Sequence, residues 1–178
     1  MVESEFAVLR QTIATRGTVR MVLLPVTLIG WATLATVLLL LGAAPVGALF
    51  SLAILVAGFE AIHALHVGVE RIGRYLQVYY EANGHGPRWE TTAMAVGPAL
   101  PGGGIDPLFT LVFVSAAIGN LVLVVVPRPT LIELLVVAPL HLAFALRVVR
   151  ARGAAARQRA VELESFRALH SAGAAPKP

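Results

Sequence analysis

The chain has 178 residues, of which 57% are hydrophobic and 13% charged, with a formal charge of +4 and no cysteine. Soluble domains are about 45–50% apolar and about 25% charged, so this is a membrane composition, at a length that allows one domain. The missing cysteine excludes disulfides, thiolate metal sites and cysteine nucleophiles.

Residues 1–20 form the first segment. In "ESEFAVLRQTIATRGTVR", Phe6, Leu9, Ile13 and Arg16 fall at helical spacing. This reads either as a short amphipathic helix on the membrane surface or as the polar lead-in to a span. Four apolar runs follow, at 21–42, 46–68, 107–127 and 130–149. A hydrocarbon core about 30 Å thick needs about 20 such residues in a helix. Lipid offers the backbone no hydrogen bonds, and uninterrupted runs favour helices over barrel strands. The first run is read as a span. A cleaved signal would have a shorter apolar region, and its leader would not hold Glu3 and Glu5.

The expected fold is an all-α membrane bundle of four transmembrane helices. Short links join spans one and two ("AAP") and spans three and four ("RP"). The N-terminus, the loop 69–106 and the tail 151–178 therefore share the opposite side. That side holds 13 of the 14 Lys and Arg residues, with Arg128 the exception. The positive-inside rule makes it cytoplasmic, giving N-in, C-in topology. The expected location is a bacterial inner membrane.

Span two carries an unusual stripe. With 100° per residue, Glu60, His63, His66, Glu70, Arg71, Arg74, Gln77 and Glu81 fall in an arc of about 140°. This predicts that span two runs on into the cytoplasm to about Ala82. There Glu70 and Arg74 form an i,i+4 pair. The rings of Tyr75, Tyr79 and Tyr80 are expected to face headgroups or the tail helix. Glu60 lies inside the apolar run, about 21 Å from its outer end. An intramembrane carboxylate is expected to face the bundle interior and marks a functional site. Span four offers His141 and Arg147 as partners, with Arg147 favoured for the ion pair and Pro139 placed to kink the helix. Asn120 in span three is a weaker candidate.

The loop holds two turn clusters, "NGHGP" at 83–87 and "PGGGIDP" at 101–107. Between them "RWETTAMAV" suits one or two helical turns, with Trp89 and Met94 at the interface. The glycines complete neither a P-loop nor a dinucleotide fingerprint. The tail is helix-prone, and its basic half should meet anionic headgroups. Its basic run is not read as a nucleic-acid site, and "SAGAAPKP" is expected to be disordered.

The segment "GFEAIHALHVGVERIGRYLQVYYE", with "RWETTAMAVGP" and "PGGGIDPLF" downstream, resembles a group of bacterial four-span integral membrane proteins over about residues 20–165. The resemblance implies that architecture and no activity or ligand.

No catalytic residues are assigned. Glu60, His63, His66, His141 and Arg147 are read as an intramembrane polar network, and Glu70, Arg74, Gln77 and Glu81 as a cytoplasmic stripe. The expected function is that of a non-enzymatic structural or modulatory subunit that joins another membrane protein or a second copy. Two alternatives use Glu60, His63, His66 and His141. One is a small proton or solute carrier, and the other a redox subunit with haem or a metal on His63, His66 and His141. Glu60 and His63 form a single Glu-x-x-His unit, where di-iron bundles use two.

Overall fold

The apolar runs and the segments flanking them coil into a few long helices, seen in a computed structural model that describes residues 2–43, 45–82, 88–96 and 107–173. Helix α1 spans Val2–Leu40 without a break at Pro25. The amphipathic segment and span one are thus one helix. Helix α2 covers Ala48–Leu76 and continues as a π-helical turn over Gln77–Glu81, with Ala82 as its C-cap. Helix α3 is Trp89–Val96, α4 is Pro107–Val125, and α5 is Leu131–Ser171. Span four and the tail are therefore also one helix, and Pro139 lies within it. Every described element is helical. Helices α1, α2 and α5 are long and apolar enough to cross a membrane, and α4 is a shorter apolar helix. The two glycine-rich clusters, apart from Pro107, the final "AAPKP" at 174–178 and the Met94 side chain lie outside the described residues.

The helix ends follow from local chemistry. Gly42, with φ 58°, ends α1 in a Schellman motif: its N–H donates to Leu39 O and the Ala43 N–H donates to Leu38 O. The same positive φ, 58°, falls on Arg128 after α4. There Arg128 N–H donates to Val125 O, but Pro129 has no N–H to make the second bond. Helix α5 opens with a capping box. Thr130 Oγ1 accepts from the Glu133 N–H, and Glu133 Oε2 accepts from the Thr130 N–H at 2.8 Å. This capping accounts for a carboxylate at the start of an apolar run.

The chain forms two compact units. The first described here, the apolar unit, comprises Arg20–His63 and Asp106–Ala151. Its core is aromatic: Phe59 is 1% exposed and meets Phe109, Phe113 and Phe144, while Leu24, Leu28 and Trp31 close it from α1. Helices α1 and α2 approach so closely that a Cβ on Gly58 would stand 2.2 Å from Thr27 Cγ2. The outside of this unit is as apolar as its inside. Among the described residues 29 large hydrophobic side chains are exposed, and all but Val8, Val19, Trp89, Val161 and Leu169 belong to it.

The other unit comprises Met1–Val19, Ala64–Ile105 and Arg152–Pro178. Ion pairs hold it together. Arg10 joins Glu90, Arg71 and Arg74 join Glu162, and Arg159 joins Glu70. Tyrosines pack against the last turns of α5: Tyr75 on Phe166 and Tyr79 on His170, with ring centroids 5.9 Å and 5.0 Å apart. Phe6 packs on Tyr80.

Candidate functional site: two polar centres and a stripe

Among the described residues of the apolar unit, the polar side chains that link helices gather in two places, not one. The first centre is Asn120 on α4, which is fully buried. Its Oδ1 accepts from the Trp31 Nε1–H at 3.1 Å and from the Ser51 hydroxyl at 2.5 Å. Its Nδ2 donates to Ala48 O at 2.9 Å and to His141 Nε2 at 2.8 Å. Both lone-pair directions and both N–H groups of the amide are thus satisfied. The partners come from α1, α2 and α5, so this one side chain ties four helices. His141 is 3% exposed, and its Nδ1 lies 2.8 Å from Val137 O. A carbonyl can only accept, so Nδ1 carries the proton and Nε2 is the acceptor for Asn120. The imidazole is neutral, with both nitrogens in use.

His141 therefore does not join Glu60, as the sequence suggests, because its side of α5 faces Asn120. Asn120, a weaker candidate by sequence, is the centre, and Ser51 and Trp31, which no sequence pattern singles out, bond to it. All four lie within about 11 residues of the ends of their apolar runs that the short links join, which is the pattern that groups them.

The second centre is the Glu60–Arg147 pair, with Arg147 Nη2 donating to Glu60 Oε2 at 2.8 Å. The guanidinium lies 5.5 Å from the centroid of the Phe59 ring. The expectation that Glu60 faces the interior needs correction. The side chains are 44% and 40% exposed, so the pair lies on the flank of the unit. Phe59 takes the interior position, and one residue later the helix has turned Glu60 about 100° away. His63 stacks on Phe59 at 5.8 Å between centroids. Among the described residues, no group of three His, Asp or Glu side chains is placed to hold a metal ion.

The stripe continues in the other unit. His66 Nε2 and Arg74 Nη1 each lie 3.5 Å from Glu70, and Arg159 of α5 also pairs with it. Arg74 is only 3% exposed, because Glu162 on α5 receives it. Glu162 also accepts from Arg71 Nε and Gln158 Nε2, each at 2.8 Å. Burial pushes the Glu162 carboxyl up, but hydrogen bonds from Arg71, Arg74 and Gln158 outweigh it and bring its pKa down to about 2. Sequence reasoning misses Glu162 and Arg159. An acidic residue amid a basic tail was their signal.

Glu81 ends the stripe with a different task. Its carboxylate is 4% exposed and accepts from the backbone N–H groups of Glu90 and Thr91, at 2.8 Å and 2.7 Å, and from the Thr91 hydroxyl. It caps α3 from outside that helix, where a negative charge also meets the positive end of the helix dipole. Gly73 makes room for this docking: a Cβ there would stand 2.7 Å from Glu90 Oε2.

Comparison with protein-family models, curated proteins and solved structures found no match.

Proposed function

We propose that the chain is a four-span, N-in, C-in protein of a bacterial inner membrane, acting as a non-enzymatic structural or modulatory subunit. The observation that carries this reading is the separation of surfaces. Exposed large apolar side chains collect in one unit and, Glu60–Arg147 apart, the ion pairs of the described residues in the other, as expected if the first sits in lipid and the second in water. At 19 residues α4 is about 28 Å long, close to a hydrocarbon core of about 30 Å, which supports a fourth crossing. A carrier or redox subunit would need His141 open to a proton path or an iron. Its two ring nitrogens are instead bound to Asn120 and Val137, which favours a structural role. The ion-paired unit is then the part that meets a partner.

The absence of cysteine gives a clean background for a topology test. Single cysteines replace Ala7, Val46, Arg128 or Ala154, and intact spheroplasts are treated with an impermeant maleimide. Positions 46 and 128 should react, and positions 7 and 154 only after permeabilisation. Positions 46 and 128 on opposite sides would overturn the four-span reading. The protein purified in mild detergent should be colourless and free of stoichiometric iron or zinc. A Soret band or bound metal would overturn the structural reading.

A further inference from the structure

The flank position of Glu60 and Arg147 leaves hydrogen-bonding capacity open on an otherwise apolar surface. Only Arg147 Nη2 and Glu60 Oε2 are engaged with each other. Glu60 Oε1 and the Nε and Nη1 groups of Arg147 have no partner among the described residues, and both side chains are close to half exposed. The pair lies near one end of the apolar unit. Glu60 is three residues before His63 and Arg147 four before Ala151, where the two segments of that unit end. At helical rise this is about 5–6 Å from the end. Resting on the membrane reading above, with Glu60 about 21 Å along a core of about 30 Å, the pair lies beneath the headgroups of that side, within snorkelling reach of the long Arg147 side chain. The apolar surface runs out there too: Val149 is exposed on α5, and the exposed Arg150 follows it.

We propose that Glu60 and Arg147 bind the headgroup of phosphatidylethanolamine, a phospholipid that presents a phosphate and a primary ammonium together. The free donors of Arg147 meet the phosphate oxygens, and Glu60 Oε1 accepts from the ammonium. The Phe59 ring lies beneath the guanidinium, shielding that side of it from water. The site discriminates by donors as well as charge. The trimethylammonium of phosphatidylcholine has no N–H for Glu60, and the glycerol headgroup of phosphatidylglycerol brings no cation.

The test offers the full chain, in mild detergent, an equal mixture of the three lipids with identical acyl chains. Retained lipid is counted by native mass spectrometry. The wild type should retain phosphatidylethanolamine about tenfold over phosphatidylcholine, as one charge-assisted hydrogen bond implies. Glu60→Gln should abolish that preference and turn it toward phosphatidylglycerol. The exchanged pair, Glu60→Arg with Arg147→Glu, should restore it and guards against a variant that merely misfolds. A wild type without the preference, or one favouring phosphatidylglycerol, would overturn the site, as would a preference that survives Glu60→Gln. Alkaline carbonate washing of membranes separates this failure from that of the membrane reading. A wild type that stays embedded but shows no preference refutes only the headgroup site, and one that is released refutes both.

Discussion

Replacing Asn120 by leucine keeps the branching of the side chain and removes four hydrogen bonds from a fully buried position. An interhelical hydrogen bond in a membrane protein contributes about 0.6 kcal/mol on average, so four amount to about 2.4 kcal/mol. The change also strands the Trp31 N–H and the His141 Nε2 lone pair. A buried unsatisfied group costs about 1–3 kcal/mol, so the two set a ceiling of about 6 kcal/mol. The expected loss is therefore about 2–6 kcal/mol. Unfolding by sodium dodecyl sulfate in mixed micelles measures it, with Trp31 fluorescence as reporter in a Trp89→Phe background. His141→Leu alone should cost less, and the double variant should lose less than the sum, with about 0.5–1 kcal/mol of coupling. If Asn120→Leu falls within about 0.5 kcal/mol of the wild type, or the two changes simply add, Asn120 is not the tie between the helices.

Three further outcomes follow from the geometry. The Glu162 carboxyl is depressed from 4.5 to about 2, so its stabilisation is complete above the first value and lost as pH falls toward the second. Protection factors of the amides over residues 155–169, measured against the intrinsic rate at each pH, should fall across that window, and Glu162→Gln should lower them at pH 7 and flatten the dependence. A wild type with no change there would contradict the ion-paired packing. Gly58→Ala would push a Cβ into Thr27, at a cost of about 1–3 kcal/mol in the same micelle assay. Thr27→Ala should rescue it only in part, because Thr27 Cβ itself stands 2.7 Å away. Arg128→Gly should raise stability by about 0.5–1 kcal/mol, since a left-handed residue with a Cβ is strained, whereas a drop would mean that the arginine side chain holds the turn.

The helical elements were legible because apolar periodicity and length alone determine them. The run from Val46 continued past the apolar region as a polar stripe, and the observed helix with its π-helical turn ends at Glu81 beside the expected Ala82. The Glu60–Arg147 contact, expected from depths about 4 Å apart on two runs, is present. The direction in which the pair faces was not legible. Its neighbour Phe59 competes for the core, and burying a benzyl ring outweighs burying a half-satisfied carboxylate. Asn120 was undervalued for a related reason. One amide in an apolar run carries no periodic signal, and its worth depends on which residues three other helices turn toward it. Glu162 and Glu81 show the same limit. Each acts across tens of residues or across a loop, where spacing along one helix gives no information.

The two tryptophans lie one in each unit, Trp31 in the apolar unit and Trp89 in the ion-paired one, where it is 63% exposed. The most direct measurement is therefore fluorescence quenching in lipid vesicles, with Trp89→Phe to isolate Trp31 and Trp31→Phe to isolate Trp89. If the apolar unit is the membrane domain, Trp31 is quenched by lipids brominated along the acyl chain and ignored by aqueous iodide, while iodide quenches Trp89. Trp31 open to iodide, or Trp89 quenched by deep bromines and not by iodide, would contradict the assignment of the two units to lipid and water.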